Sequence, residues 1–376
     1  MSRIYFDNAA TTPMDQRVID YISNIMSKLW GNPSSIYQEG RTARAAIEEA
    51  RKTVAKSLKA SIGEVFFTSC GTESNNMALK CAVRDLGVTR IISSPIEHHA
   101  VLHTVQRLEK EKATELVMLD MDEKGRIDLS QLEQLLKDQD KKTLVSLMYA
   151  NNEIGTMIDL EAVGTLCETY SAYFHSDTVQ TIGYYPIDVN QAKVHFITGS
   201  GHKFHGPKGA GFIYINNEAM LQPFIDGGAQ ERNMRGGTEN LYGILAMAKA
   251  LELAETEREE RRQKITAIRD YFARQLQTEF PEVIFQGTPF EGGHYKILSV
   301  SFPEGPKSDL LLLSLDIAGI SVSGGSACSS GADAGSHVIG TLFPDSLRKT
   351  LRFSFSHHNT EAEADQVIAK LKDILQ

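Results

Sequence analysis

An α/β fold built on a mostly parallel seven-stranded sheet, followed by a smaller α+β unit, is the architecture this sequence predicts. Three observations carry that expectation. Between Glu64 and about Tyr214, seven short runs rich in β-branched and aromatic residues alternate with helical segments, the pattern of a parallel sheet with helices on both faces. Nearly every polar cluster of chemical interest follows one of those runs, at the strand ends where such sheets bind ligands. Beyond Pro281 the alternation gives way to mixed strands and helices, closing on an amphipathic segment over 360–375.

Taken in order, the chain opens on a turn, Asn8-Ala9-Ala10-Thr11-Thr12-Pro13, and a short helix over about 15–29. After the irregular Gly31-Asn32-Pro33-Ser34-Ser35, apolar and alanine positions recur at helical spacing over 38–58, with arginines and glutamates between them. The seven strands follow: Val65-Phe66-Phe67-Thr68, Arg90-Ile91-Ile92-Ser93, Leu116-Val117-Met118-Leu119, Thr143-Leu144-Val145-Ser146-Leu147, Ala172-Tyr173-Phe174-His175, His195-Phe196-Ile197-Thr198 and Gly211-Phe212-Ile213-Tyr214. A glycine-rich stretch over 226–238 leads into a long helical segment over about 241–280, rich in Ala, Leu, Glu and Arg, which serves as connector. The expected division is a large unit of residues 1–255, whose segment 1–14 packs on the other unit, and a small unit of residues 256–376.

Composition bounds the function. The 376 residues are 41% hydrophobic and 23% charged, with a formal net charge of -9, which speaks against a basic footprint for nucleic acid or an anionic membrane. The N-terminus reaches an acidic residue too early for a signal peptide and no stretch has about 18 uninterrupted apolar residues, so a cytoplasmic protein is expected. Cys70, Cys81, Cys167 and Cys328 are widely separated and form no Cys-x-x-Cys pair; neither a disulfide framework nor a zinc site is suggested.

Several residues stand out chemically. Lys203, in Ser200-Gly201-His202-Lys203 at the end of an apolar run, suits the anchor of an aldehyde cofactor, because a partly desolvated amine attacks carbonyls. A surface lysine after a strand is the alternative. Gly71 and Thr72 follow a strand and open a helix, where free N–H groups favour a phosphate; a plain helix cap fits the same residues. The dinucleotide and P-loop patterns both fail around Lys203, since the third glycine is missing and Pro207 stands where a P-loop needs lysine. His98, just past a strand, could stack on a flat ring or shuttle a proton, or merely cap a helix. Asp177, at a strand end, could hold a pyridine nitrogen protonated or form a turn. Cys328 sits in a run of small residues, Ser326-Ala327-Cys328-Ser329-Ser330-Gly331, which suits a thiol that travels and reacts. Arg352 alternates with apolar neighbours and could fork onto a substrate carboxylate or form a structural ion pair.

In chain order, Asp7 to Pro13, Gly31 to Ser35, Gly71-Thr72-Glu73-Ser74, Glu97-His98, Asn151 to Gly155, Asp177 with Gln180, Ser200 to Lys203, Arg235 to Thr238, Ser326-Ala327-Cys328 and Arg352 together resemble the cysteine desulfurases of the NifS and IscS type. These are pyridoxal 5'-phosphate enzymes of fold type I in the class V aminotransferase family. The resemblance implies Lys203 as the Schiff-base lysine, His98 stacked on the pyridine ring, Asp177 on the ring nitrogen and Gln180 on the ring hydroxyl. It implies a phosphate held by Gly71, Thr72, Ser200 and His202, with Thr238 reaching in from the second subunit of a homodimer. Asn152 and Arg352 would lie near the substrate, Arg352 on its carboxylate, and Cys328 would carry the persulfide.

The reaction so implied converts L-cysteine to L-alanine and passes the sulfur to an acceptor protein, an iron-sulfur scaffold or a tRNA-thiolation enzyme. A selenocysteine lyase or an aminotransferase-like enzyme of the same fold is the alternative, although an aminotransferase needs no second nucleophile such as Cys328. A non-enzymatic sulfur-relay protein fits poorly with an intact Lys203, Asp177 and His98. The chain departs from the family at Cys70 and Gly71, where Gly-Ala is usual, and at Ser356-His357-His358, which replaces a Gly-Arg-containing turn. It stops at Gln376, short of the extension that the housekeeping IscS type uses to engage its scaffold. The spacing from Cys328 to Arg352 matches the long-loop group, which implies direct sulfur transfer.

Overall fold

A computed structural model of the chain describes residues 3–325 and 335–375. A first short strand, β1 (Ile4–Tyr5), precedes the main sheet of β2 (Val65–Thr68), β3 (Arg90–Ser93), β4 (Glu115–Met118), β5 (Thr143–Ser146), β6 (Tyr173–Asp177), β7 (Phe196–Ser200) and β8 (Gly211–Ile215). Its order is β2-β8-β7-β6-β5-β3-β4. Only β8 runs against the rest, antiparallel to β2 and β7, while β7, β6, β5, β3 and β4 pair in parallel. Every residue of β2, β3, β5, β7 and β8 is buried, because helices cover both faces. The edge strand β4 is half-exposed instead.

The helices obey the same logic. Gln38–Leu58 buries Ala43, Ile47, Ala50, Val54 and Leu58, one stripe at steps of three and four residues, and ends on Lys59 in the left-handed conformation at φ 53°. It packs on Leu241–Thr256, whose buried residues include Ile244, Met247, Ala248 and Leu251. The helix expected over 241–280 is in fact two, Leu241–Thr256 and Arg258–Glu279, broken at Glu257. At the break the Glu257 carboxylate accepts from Arg17 at 2.5 Å and from Arg261 at 2.7 Å, a tertiary demand that outweighs the helix propensity of the surrounding residues.

A second sheet pairs β9 (Ile284–Gln286), β10 (Ile297–Phe302) and β12 (Lys349–Ser354) in the order β12-β10-β9, all antiparallel, and β11 (Ile320–Ser321) pairs in parallel with β1. The helix Glu361–Leu375 lies on Arg258–Glu279 beside this sheet. Phe6 joins Phe272, Phe353 and Phe355 there, with ring centroids 4.9 to 5.7 Å apart. One apolar core runs from this aromatic cluster into the main sheet. Among the described residues no helix is long and apolar enough to cross a membrane.

The glycine-rich stretch over 226–238 is pinned to the main sheet by one buried ion pair. Arg51 donates to both Glu231 oxygens at 2.7 and 2.9 Å, and the Phe67 N–H donates to the same carboxylate at 2.7 Å. Both side chains are essentially inaccessible, at 2% and 3% exposure. Arg51→Ala leaves Glu231 buried without its cation, so it is expected to lower unfolding free energy by about 3 to 5 kcal/mol, read by urea denaturation; a loss under about 1 kcal/mol would show that the pair is solvated.

Candidate active site

The carboxyl ends of β3, β5, β6 and β7, four consecutive neighbours in the sheet, open onto one cavity of about 180 Å³. The walls bring together Gly71, Thr72, His98, Asn152, Asp177, Gln180, Ser200, His202, Lys203 and Arg352 from widely separated parts of the sequence. Thr238 is not among them; it lies in a separate recess with Arg235 and Asn240. Cys328 falls outside the described residues.

Lys203 ends a single 3-10 turn, Gly201–Lys203, directly after β7. Its Nζ donates to the carbonyls of Ala9 and Ala10 at 2.7 and 2.9 Å, and its own carbonyl accepts from the Tyr184 hydroxyl at 2.9 Å. Gln180 Nε2 donates to the same Ala9 oxygen at 2.9 Å. The turn Asn8 to Pro13 thus supplies backbone acceptors to the cavity, something no residue type in the sequence announces.

Asp177 is the last residue of β6 and is 5% exposed. One carboxylate oxygen accepts from Asn75 Nδ2 at 2.7 Å and the other from the Val179 N–H at 3.0 Å. Asn75 is fixed in turn: its Oδ1 accepts from Thr198 Oγ1 at 2.9 Å and lies 3.1 Å from His175 Nε2. Sequence reading missed Asn75 and His175. The available signal was position, since Asn75 lies one helical turn from Gly71 on the side facing the sheet.

His98 caps the helix His99–Lys110 and lines the cavity at once. Its Nδ1 accepts the Ala100 N–H at 3.1 Å, so the neutral ring carries its proton on Nε2. Burial lowers its pKa, Lys203 adds to that, and Asp177 opposes it. The preceding Glu97 is held toward the protonated form, its pKa pushed up to about 8 by burial with a contribution from Asp177. His202 is pushed down to about 3, first by burial and then by Lys203, and its Nδ1 meets Thr11 Oγ1 at 3.1 Å.

Three buried oxygens on the cavity wall have no partner among the described residues: Asn152 Oδ1, Gln180 Oε1 and Ser200 Oγ. Leaving such atoms unpaired is costly, and together they fit a ligand rich in hydroxyl and phosphate groups. Gly71 opens the helix Gly71–Leu86, and a Cβ added to it would come within 2.5 Å of Val179 Cγ2, so the helix N-terminus approaches the cavity only because this residue is glycine. An amine, a carboxylate and a neutral imidazole beside that helix end match the chemistry of pyridoxal phosphate. Arg352 lies on β12, 2% exposed, donating to Asp7 at 2.7 Å and to the Asn152 carbonyl at 2.8 Å, with its Nε unpartnered. The structural ion pair and the cavity position therefore coexist in one guanidinium.

Fold and site together define a pyridoxal phosphate-dependent enzyme of fold type I. A model of the aminotransferase class-V family matches residues 4–367. The putative cysteine desulfurase IscS 1 of Bacillus subtilis (strain 168) is 39% identical over 388 residues, covering 100% of this chain and 99% of its own. The cysteine desulfurase IscS of Methanosarcina thermophila is 40% identical, covering 99% and 92%. A solved structure described as a NifS-like protein superposes with a TM-score of 0.91 at 36% identity, covering 99% of both chains. An apo cysteine desulfurase from Thermococcus onnurineus NA1 gives 0.87 at 25% identity, covering 99% and 94%. The chain belongs to the aminotransferase class-V family, among its NifS/IscS-like cysteine desulfurases.

Two predictions follow from this geometry. An alanine at position 71 would collide with Val179, so Gly71→Ala alone is expected to cost about 1 to 3 kcal/mol of stability, while adding Val179→Ala restores it. A double-mutant cycle by thermal denaturation reads the coupling, and simple additivity would refute it. His175 is wholly buried and its pKa is pushed by burial from 6.5 down to about 4. Between those values the unfolded chain binds more protons, so stability falls as pH drops through that window, by about 3 kcal/mol for the whole shift. Urea denaturation across the window should show a shallower decline in His175→Gln.

Proposed function

We propose that the protein converts L-cysteine to L-alanine and holds the sulfur as a persulfide on Cys328, as a pyridoxal phosphate-dependent cysteine desulfurase. The observation that carries this reading is one cavity holding Lys203, Asp177 and His98 beside three unpartnered polar atoms, in a chain whose relatives are named cysteine desulfurases. Asp177 holds the ring nitrogen and Gln180 the ring hydroxyl, with His98 against the ring face. Gly71, Thr72, Ser200 and His202 hold the phosphate. Thr238 sits away from the cavity of its own chain, so it serves the site of the other subunit in a homodimer. The chain divides into a cofactor-binding unit of residues 1–255 and a smaller unit of residues 256–376, and it works in the cytoplasm.

When bound, pyridoxal phosphate supplies an electron sink that acidifies the α-proton of an amino acid. Lys203 Nζ, besides anchoring the aldehyde, takes that proton as general base. Arg352, held by Asp7, orients the substrate carboxylate, and Asn152 lies beside it. His98 offers its single proton from Nε2. The Cys328 thiolate attacks the substrate sulfur: the new S–S bond forms as the C–S bond breaks, its electron pair returns to the substrate skeleton, and that carbon takes up a proton and leaves as alanine. The persulfide then passes to an acceptor protein of iron-sulfur cluster assembly or tRNA thiolation.

The test is an alanine and sulfide assay with L-cysteine and a reductant, run with selenocysteine in parallel. Purified protein is expected to be yellow and to release both products. Cys328→Ala should lose sulfide release and keep its colour, whereas Lys203→Ala should lose the wild-type absorption band. Equal desulfuration by Cys328→Ala would remove that residue from the mechanism, and alanine formation from selenocysteine alone would move the enzyme to the lyases.

A further inference from the structure

Behind the cavity lies a second lysine that the reaction above does not use. Lys296 immediately precedes β10, is wholly buried, and its Nζ has no hydrogen-bond partner among the described residues. Its closest charge-relevant contact is the face of Tyr184, 4.0 Å from Nζ to the ring centroid. Tyr184 also donates its hydroxyl to the Lys203 carbonyl at 2.9 Å, so one aromatic side chain joins the two lysines. Beside Lys296, His294 Nδ1 accepts the Lys296 N–H at 3.2 Å while Nε2 donates to the Gln180 carbonyl at 2.8 Å. The segment carrying Lys296 is therefore built against the segment carrying the cofactor-binding residues.

The electrostatic surroundings are one-sided. The charged groups whose field falls on Lys296 are Lys203 and Arg352, both cations, and its own charge would fall on His202, His205 and His294. Arg352 has Asp7 as counterion, and Lys203 has the Ala9 and Ala10 carbonyls; among the described residues Lys296 Nζ has a π face alone. A buried amine with no acceptor and two cations nearby is stable only when uncharged, and burial followed by those two cations holds its pKa well below the ordinary lysine range. Phosphate charge entering the cavity would oppose the field of those two cations, and engagement of the Lys203 amine would remove one of them.

We propose that Lys296 is a positioning residue acting through Lys203, an amine that is neutral in the free protein and takes up one proton from solvent when the anionic cofactor binds. The change is R–NH₂ to R–NH₃⁺, with no other bond made or broken. Its new charge then disfavours a proton on the Lys203 nitrogen and leaves that nitrogen ready to accept one. This inference rests on the pyridoxal phosphate reading.

Two measurements test it on the wild type, Lys296→Met and Lys296→Arg, with Lys296→Gln as a second uncharged variant should methionine prevent folding. In the holoenzyme, the pH midpoint of the cofactor absorption band reports the proton on the Lys203 nitrogen. Removing one nearby positive charge at an effective dielectric of about 20 should tighten proton binding about tenfold, raising the midpoint by about one pH unit, while arginine keeps the wild-type value. Calorimetry of pyridoxal phosphate binding to the apo-protein, in buffers of different ionisation enthalpy, should show wild type taking up about one proton more than the uncharged variants. Thermal stability of Lys296→Met at or above wild type is expected, since an unpaired buried amine is lost. An unchanged midpoint with equal proton uptake in the uncharged variants overturns the proposal. A wild-type protein with no cofactor band at all would instead overturn the pyridoxal phosphate reading.

Discussion

The backbone over residues 4–15 is the constraint on which the rest of the site depends. At one end β1 pairs with β11, and the Asn8 N–H and the Phe6 carbonyl bond to Ser354 on β12. At the other, the Thr12 and Asp15 N–H groups bond to the carbonyls of His202 and His205. Between these anchors the Ala9 and Ala10 carbonyls hold Lys203 and Gln180. These backbone hydrogen bonds, each about 1 kcal/mol net, thus fix the distance between the small sheet and the cavity floor. Arg352 can face the same cavity as Lys203 only because this segment also delivers Asp7 to it.

Charge is arranged around that frame so that little is left to chance when a ligand arrives. His98, His175 and His202 are all kept neutral, with burial the leading cause in each case. Glu97 is likewise pushed toward neutrality. The carboxylate of Asp177 is held by hydrogen bonds from Asn75 and the Val179 N–H, which fix its direction as well as its charge. Preorganisation of this sort means that dipoles and charges need not reorient during reaction. The cost shows in the atoms of Asn152, Gln180 and Ser200 that lack a partner among the described residues, all three residues lining the cavity.

Much of this was legible in the sequence because burial on both faces writes strands as unbroken apolar runs, as in Val65 to Thr68 and Phe196 to Ser200. Helical spacing likewise marked 38–58 to the residue. The cavity side chains were readable wherever an unusual residue type stood just after such a run, as with His98, Asp177 and Lys203. What escaped had no local signature. Backbone carbonyls at Ala9 and Ala10 carry no residue-type signal, and the break at Glu257 is imposed by Arg17 from the far N-terminus. Thr238 lies in a recess apart from the cavity, and its assignment to a second subunit's site rests on the resemblance alone. Lys296 was invisible for a different reason, as an isolated lysine is normally read as surface. Arg352 makes the structural ion pair with Asp7 and also lines the cavity, so the pair does not remove it from the site.

The fit of Gly71 against Val179 has an evolutionary consequence. With only 2.5 Å between a would-be Cβ and the valine methyl, a side chain at 71 requires the valine to shrink or shift, whereas the valine can shrink without regard to this contact. A lineage carrying valine here regains a side chain at 71 only after the valine has shrunk, and one carrying alanine at 71 must lose it before a valine is admitted. The order of substitutions is therefore restricted, so transplanting single residues between this enzyme and its relatives is a poor guide to what each residue does.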